Sequence, residues 1–393
     1  MLTALLNQQV ITTIHYSREE LRRLRREGVS FVCPHCSSIL TMRIGSRNTP
    51  HFAHISHSDC ELVRGETPQH LLSKQLLYGR VSSLYESVSL EHYIKEIKQV
   101  ADIFVKTDTA DIAIEIQCST IPISEVVRRS NGYHREGITP FWILTQSLKS
   151  KKLLNLTTFQ QAFIRYSPSL DYFLLQFLPD RGIFHLYTRL LPVSSTAFMS
   201  AAPIIIPVAE FTLPPVIPNV PILPPYSLSK WNDFRTKWIY NKIHYNKART
   251  DVFLREVYGE GDTFLYLPLF IGLPVIPHGI HIRNHEVEWQ YYLWKDCLKK
   301  DSLFSLESVS NALNRRLTKG HIEFRSFPLQ KSDKVIKKIA GGYLSVLEEV
   351  HVLRKINDTF QLTEPWSCPD HFSAFEQHKH DFFPKWKHIL KKL

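Results

Sequence analysis

The sequence predicts a mixed α/β (α+β) protein, and three observations along the chain support this fold class. Residues 66–144 follow helical and strand patterns in the order helix, three strands, helix, strand. Residues 33–60 concentrate cysteines and histidines in one short segment. Residues 227–393 show mainly helical patterns. We therefore expect a small metal-binding N-terminal segment, an α/β core and a mainly helical C-terminal domain.

Bulk properties favour a globular protein with an anionic partner. The chain has 393 residues, of which 44% are hydrophobic and 12% aromatic, enough for two or three domains with their own cores. The formal net charge of +11 favours nucleic acid as the partner, although many basic proteins bind none. There is no apolar run of about 18 residues and no signal-peptide pattern, so we expect neither a membrane span nor a secretion signal.

The domain boundaries follow from shifts in composition. We predict a zinc-ribbon-like segment over residues 1–62 and an α/β domain over 63–202. Residues 203–226 are rich in proline and apolar residues, which predicts a stiff, extended strap packed along a domain surface. The mainly helical domain then covers 227–393.

The N-terminal segment begins with a predicted strand over residues 9–14 and a basic helix capped by Ser17. The Cys33-Pro34-His35-Cys36 turn that follows would present two thiolates to one tetrahedral ion. The further candidate ligands are His51, His54 and Cys60.

Five side chains thus compete for four places around the ion. His51 and His54 differ by three positions, so on a regular strand they point to opposite faces. We favour Cys33, Cys36, His54 and Cys60 as ligands of a structural Zn²⁺, with His51 as the substitute. A segment this small needs metal to fold, because it buries little apolar surface. The alternative is a reduced loop without metal.

The next predicted helix covers residues 66–80 and begins near Thr67. Glu66, His70 and Lys74 are spaced by four, so they line one face of this helix. The row is either a surface ladder of charges or the rim of a site for metal and phosphate.

A hairpin over residues 99–117 carries the main candidate acids. Both arms alternate between polar and apolar residues, and a two-residue turn at 108–109 pairs residues whose numbers sum to 217. Asp102 then lies opposite Glu115, and Gln117 shares their face. Two facing carboxylates repel, and a divalent cation such as Mg²⁺ relieves that repulsion. The alternative is a polar, solvated sheet face.

The remaining elements of the α/β domain are a strand at 88–94, a helix at 124–136 capped by Ser124, and a strand at 141–144. A strand pair at 173–177 and 182–188 follows.

The C-terminal part has an aromatic helix for which Asn284 is the predicted cap. His278, His281 and His285 have helical spacing, but Pro277 and Gly279 argue against a regular helix there. The end of the chain, 378–393, is rich in His and Lys. It is either a solvated helix or a salt-sensitive contact to phosphates.

The order of elements, with an acid on the second strand and Glu-x-Gln on the third, resembles the restriction-endonuclease-like αβββαβ core of PD-(D/E)XK nucleases. The sequence also resembles the competence protein CoiA family, most specifically over residues 1–150. The motifs that carry this resemblance are Cys-Pro-x-Cys, His-Phe-Ala-His, Glu66-x-x-x-His70-x-x-x-Lys74, Glu115-Ile116-Gln117-Cys118-Ser119 and Arg129-x-x-x-Tyr133.

The resemblance implies a cytoplasmic protein that acts on incoming single-stranded DNA during transformation, alongside recombination proteins. It implies that Asp102 and Glu115 bind Mg²⁺ or Mn²⁺ and that Glu66 completes the site. Gln117 stands where the nuclease pattern has lysine, and a neutral amide stabilises charge less well. Either Gln117 is tolerated at this position, or Lys74 or Lys98 replaces that lysine. His70 would contact phosphate or move a proton.

Two hypotheses therefore remain open for the α/β domain. It is either a metal-dependent deoxyribonuclease or a non-catalytic DNA-binding adaptor with a degenerate nuclease fold. A third hypothesis is a purely structural or protein-interaction role.

Overall fold

A computed structural model describes residues 1–55, 60, 66–150, 152–200, 202–215, 228–300, 303–330 and 333–390. The predicted boundary at 62/63, the strap beyond 215 and the last three residues of the basic tail lie outside this part. The fold is mixed α/β with several sheets, as predicted. Among the described residues, no helix combines the length and apolar character that crossing a membrane requires.

The N-terminal part is a five-stranded antiparallel sheet with the order β2-β1-β3-β4-β5. Its elements are β1 (Thr3–Leu6), β2 (Gln9–Thr12), α1 (Arg18–Arg26), β3 (Phe31–Val32), β4 (Ile39–Arg43) and β5 (His51–His54). Ser17 caps α1 in a capping box with Glu20, which confirms the predicted helix start. The sequence analysis missed β1.

The predicted order helix, three strands, helix, strand is confirmed. These elements are α2 (Pro68–Ser82), β6 (Ser87–Ile94), β7 (Gln99–Lys106), β8 (Asp111–Gln117), α3 (Ile123–Arg135) and β9 (Thr139–Leu144). The hairpin pairs Ile103 with Ile114 and Lys106 with Asp111, which confirms the predicted register over residues 103–106, but the ladder ends there and does not include the predicted pairing of Asp102 with Glu115. Thr67 caps α2 through the His70 amide, but Pro122 precedes α3, so the predicted Ser124 cap is wrong.

The same sheet continues into the residues that follow β9. Strand β8 pairs parallel to β9, β9 pairs parallel to β13, and β14 and β17 extend the sheet beyond β13. The elements of this region are β10 (Lys149–Ser150), β11 (Leu154–Asn155), α4 (Thr158–Gln161), β12 (Arg165–Ser167), β13 (Asp171–Leu178), β14 (Ile183–Tyr187), β15 (Leu191–Pro192), β16 (Ala197–Met199) and β17 (Ile204–Pro207). The predicted strand pair is therefore β13 and β14.

Helices cover both faces of this large sheet. Leu71 and Leu77 of α2 pack against Ile103 and Ile114 on one face. On the other face, Tyr133 of α3 packs against Ala113. A side chain of β7 or β8 therefore meets α2 or α3 according to the face from which it projects.

The C-terminal part is mainly helical, with a small sheet that the sequence analysis missed. Its elements are α5 (Leu228–Tyr245), α6 (Val252–Gly259), α7 (Glu286–Leu293), a π-helical stretch (Trp294–Leu298), β18 (Phe304–Ser305), α8 (Leu306–Thr318), α9 (Val335–Glu349), β19 (Leu353–Ile356), β20 (Thr359–Leu362) and α10 (Phe372–Leu390). The aromatic side chains of α7 lie in the core, as predicted.

The C-terminal histidines have structural contacts. His285, rather than the predicted Asn284, caps α7 by accepting from the Val287 amide. Ring nitrogens of His278 and His281 lie 2.7 and 3.0 Å from the Tyr172 hydroxyl of β13. These two histidines therefore join the C-terminal part to the large sheet.

Candidate functional site

The N-terminal sheet brings together one imidazole and three thiols. Cys33 and Cys36 lie in the turn between β3 and β4, where Ser37 adopts a φ of 59°. His54 ends β5 opposite Leu40, the second residue of β4. Ligand atoms of Cys33, Cys36, His54 and Cys60 all lie within 4.8 Å of one another.

This donor set fits Zn²⁺, which takes thiolate and imidazole ligands in tetrahedral geometry. Burial raises the pKa of the Cys33 thiol. At Cys36 burial acts in the same direction, but hydrogen bonds from Ser38 and His54 outweigh it and lower the pKa of this thiol. Cys36 is thus prepared to ligate as a thiolate.

His51 lies outside this group. Its Nδ1 atom is 3.0 Å from the carbonyl oxygen of Thr49, at the other end of β5. The favoured set of four is therefore the set that the structure gathers, and its role as a metal site stays a prediction.

A second cluster forms where α2 crosses the large sheet. His70 lies between two acids: Nδ1 is 3.2 Å from Glu66 Oε1, and Nε2 is 3.1 Å from Asp102 Oδ2. Ligand atoms of Glu66, His70 and Asp102 lie within 4.8 Å of one another. The predicted row is therefore largely buried rather than a surface ladder, and its role as a site for metal and phosphate stays a prediction.

Lys74 is the buried cation of this cluster. Its side chain is 1% exposed and bonds to Glu66 and Glu91, and its Nζ lies 3.9 Å from Asp102 Oδ1. Burial opposes the charged form, but the three carboxylates outweigh burial and raise the pKa of Lys74. Lys74 therefore remains an ammonium inside the site.

The sequence analysis missed Glu91. Its buried carboxylate accepts hydrogen bonds from the amides of Leu2 and Thr3, at 2.7 and 3.0 Å, as well as from Lys74. Glu91 therefore ties the N-terminal sheet to the cluster on α2.

An irregularity in the sheet explains why Glu91 and Asp102 both face α2. Ile103 lies in the core beneath α2, whereas Ala101, two residues earlier, packs in the cluster that contains Tyr133 of α3. On a regular strand these two residues would share a face. Glu91 on the neighbouring strand has a φ of 51°, a conformation that is uncommon outside glycine.

Glu115 lies on the opposite side of the sheet, which corrects the prediction that it shares a face with Asp102. Its Oε1 accepts from Arg129 and Tyr133 of α3. Asp102 instead accepts from the Ile116 amide at 2.8 Å and faces His70. The predicted register holds over residues 103–106, but the ladder ends before Asp102, and the broken alternation there reverses the face.

The other two predicted residues, Gln117 and Lys98, also lie outside the group of Glu66, His70 and Asp102. Gln117 donates its side-chain amide to the carbonyl of Ser119 at the end of β8. Lys98 is exposed just before β7, so Lys74 is the lysine that the structure brings to Asp102.

The charge state of His70 predicts a pH-dependent stability. Burial opposes protonation, but Asp102 and Glu66 outweigh it and raise the pKa of His70 to about 9. Because an unfolded histidine has a pKa of about 6.5, the stabilisation is complete below that pH and is lost as pH rises through about 9. We expect His70→Gln to remove up to about 3 kcal/mol at pH 6 and much less at pH 9.5.

Urea unfolding in EDTA across this pH range measures the effect, with His51→Gln as the control variant. A stability difference between His70→Gln and the wild type that stays constant with pH would contradict the assignment.

Comparisons with known proteins agree on one family. Family models match residues 13–63 ("Competence protein CoiA, N-terminal domain"), 66–218 ("Competence protein CoiA, nuclease-like domain") and 227–372 ("Competence protein CoiA, C-terminal domain"). The chain is 28% identical over 356 residues to "Competence protein CoiA" of Bacillus subtilis (strain 168), covering 88% of this chain and 93% of that protein. No solved structure gives a significant match.

Proposed function

Because the chain belongs to the competence protein CoiA family, we propose that it processes incoming single-stranded DNA in the cytoplasm during transformation and recombination. We propose that its nuclease-like domain is a divalent-metal-dependent phosphodiesterase, whose metal ligands are Glu66, His70 and Asp102. The close approach of these three donors, one just before α2, one on α2 and one on β7, carries the proposal.

The donor set suits Mn²⁺ or Mg²⁺. Carboxylate oxygens bind both ions, and an imidazole suits Mn²⁺ better than Mg²⁺. A bound ion would polarise the scissile phosphate and lower the pKa of an attacking water. Among the chain's own groups, Lys74 supplies positive charge beside Asp102, in the role that the nuclease pattern gives to the lysine missing at Gln117.

Glu115 takes a positioning role in this proposal. It fixes Arg129 and Tyr133 against the opposite face of β8, and Arg129 also donates to the Val100 carbonyl of β7 at 2.8 Å. These bonds hold the strand that carries Asp102. The Zn²⁺ that we assign to Cys33, Cys36, His54 and Cys60 is structural, because its four protein donors leave no open position.

One set of contacts favours the alternative function, a non-catalytic DNA-binding adaptor for recombination. His70 and Lys74 already neutralise the acids of the cluster, and Glu115 is paired with Arg129. If the protein's own cationic side chains neutralise these acids in place of a metal ion, the protein would bind DNA without cutting it.

A cleavage assay separates the two functions. We expect the wild type to cut single-stranded DNA with Mn²⁺ or Mg²⁺, and Asp102→Asn to lose at least about a hundredfold in rate while it still binds DNA. Asp108→Asn is the matched control, since Asp108 lies exposed in the turn of the same hairpin. DNA binding by the wild type without cleavage under any divalent ion would favour the adaptor.

A further inference from the structure

The C-terminal part contains an open cleft of about 580 Å³ that none of the groups discussed so far enters. Its walls are α6, the π-helical stretch and the C-terminal end of α8. Five cationic side chains face three carboxylates in its lining. The cleft therefore carries an excess of positive charge.

The three carboxylates are engaged by two of the lining cations, Arg316 and Lys295, and by Lys299, which lies outside the lining. Arg316 binds Glu256 at 2.7 Å and Asp296 at 2.6 Å, and its guanidinium lies over the ring of Tyr292. Lys295 binds Glu256 at 2.9 Å. The third carboxylate, Glu260, is bound by Lys299 at 2.8 Å. Burial opposes ionisation of Glu256, but Arg316 and Lys295 outweigh it and lower its pKa to about 2.

The other three cations of the lining are Lys300, Arg315 and Lys319, and all three are exposed. Within the described ranges, no carboxylate forms an ion pair with any of them. Arg315 and Lys319 are four residues apart at the end of α8, so they project from one side of it. Lys300, Arg315 and Lys319 therefore account for the excess of positive charge in the cleft.

A rare backbone feature forms one wall of the cleft. Trp294–Leu298 is a π-helical turn, closed by the bond from the Lys299 amide to the Trp294 carbonyl at 3.0 Å. Such turns are found in well under 1% of residues and are frequent at functional sites. Here the turn carries Lys295 and Asp296, which both line the cleft.

We propose that this cleft binds the phosphate backbone of single-stranded DNA, as a contact separate from the nuclease-like domain. The inference rests on the proposed function and adds a second binding site to it. A strand fits better than a small phosphate compound, because the free cations are exposed on two different elements of an open cleft. Arginine and lysine on such a wall give sequence-independent affinity.

The test measures binding of a labelled oligo(dT) of about 20 nucleotides by fluorescence anisotropy in EDTA, between about 50 and 200 mM salt. We expect the variant Lys300→Gln, Arg315→Gln, Lys319→Gln to bind at least about tenfold more weakly at low salt. Three lost contacts at about 0.7 each would also lower the slope of log Kd against log salt by about 2.

The control variant is Lys337→Gln, Lys338→Gln, Lys355→Gln, which removes the same charge from exposed sites outside the cleft. Equal binding by the cleft variant and this control would overturn the inference and leave the proposed function standing. Displacement of the strand by inorganic phosphate at constant ionic strength would also overturn it, in favour of a small-anion site. No binding by the wild type at low salt would end both proposals.

Discussion

The His54→Ala protein is expected to lose its zinc and the fold of the N-terminal sheet. His54 supplies the imidazole of the Cys33, Cys36, His54 and Cys60 group, and a five-stranded sheet of this size buries a small core. Apparent binding energies of structural zinc are about 10–16 kcal/mol in small domains, so losing one ligand is costly. Zinc content per chain and limited proteolysis of residues 1–55 measure the two effects.

His51→Ala is the matched control for this experiment. It removes the same ring from the same strand, three residues away, at a position outside the donor group. We expect this variant to keep about one zinc ion per chain and resist proteolysis like the wild type. Loss of zinc from His51→Ala with retention in His54→Ala would reverse the ligand assignment.

The strongest sequence signals were those that depend on local spacing. The Cys-x-x-Cys turn and the three-residue step from His51 to His54 favoured the same four donors that the structure gathers. Likewise, the length of the turn at Asp108 and Thr109 was enough to give the hairpin register. Both predictions depended only on residues that are close in sequence or paired between two adjacent strands.

Predictions that depended on an unbroken strand failed at the site. Ala101 fits either face of the sheet, so the pattern of Ala101, Ile103 and Val105 gave no sign that the alternation is broken. The break turns Asp102 and Glu91 toward α2 and leaves Glu115 facing α3. Glu91 was missed for a related reason, because its partners Leu2 and Thr3 are almost ninety positions away in sequence.

The cluster formed by Glu66, His70, Lys74, Glu91 and Asp102 connects α2 with β6 and β7. Lys74 is the shared partner of Glu66, just before α2, of Glu91 on β6 and of Asp102 on β7. Each acid would be costly to bury alone, since an unpaired buried charge loses its hydration. The ammonium of Lys74 therefore links the N-terminal sheet, through Glu91, to the acids that we assign to the metal site.

Replacing Lys74 by methionine is expected to destabilise the protein by about 3–5 kcal/mol, because it removes the cation bound to the buried Glu91 and one of the cations beside Glu66 and Asp102. Methionine keeps much of the volume of the aliphatic stem, so the loss reports charge rather than packing. Urea unfolding in EDTA measures the effect, and Lys98→Met, at an exposed position of the same domain, should stay within about 0.5 kcal/mol of the wild type.

Adding Mn²⁺ extends this experiment to the function of the site. If Glu66, His70 and Asp102 hold a divalent cation, Mn²⁺ should restore part of the stability of Lys74→Met, because it supplies the missing positive charge to the same carboxylates. Lys98→Met should gain no more than the wild type gains. Equal stability of Lys74→Met and Lys98→Met in EDTA would show that the ammonium does not stabilise the acids. A large loss that Mn²⁺ leaves unchanged would instead favour an adaptor whose site is held by its own cations.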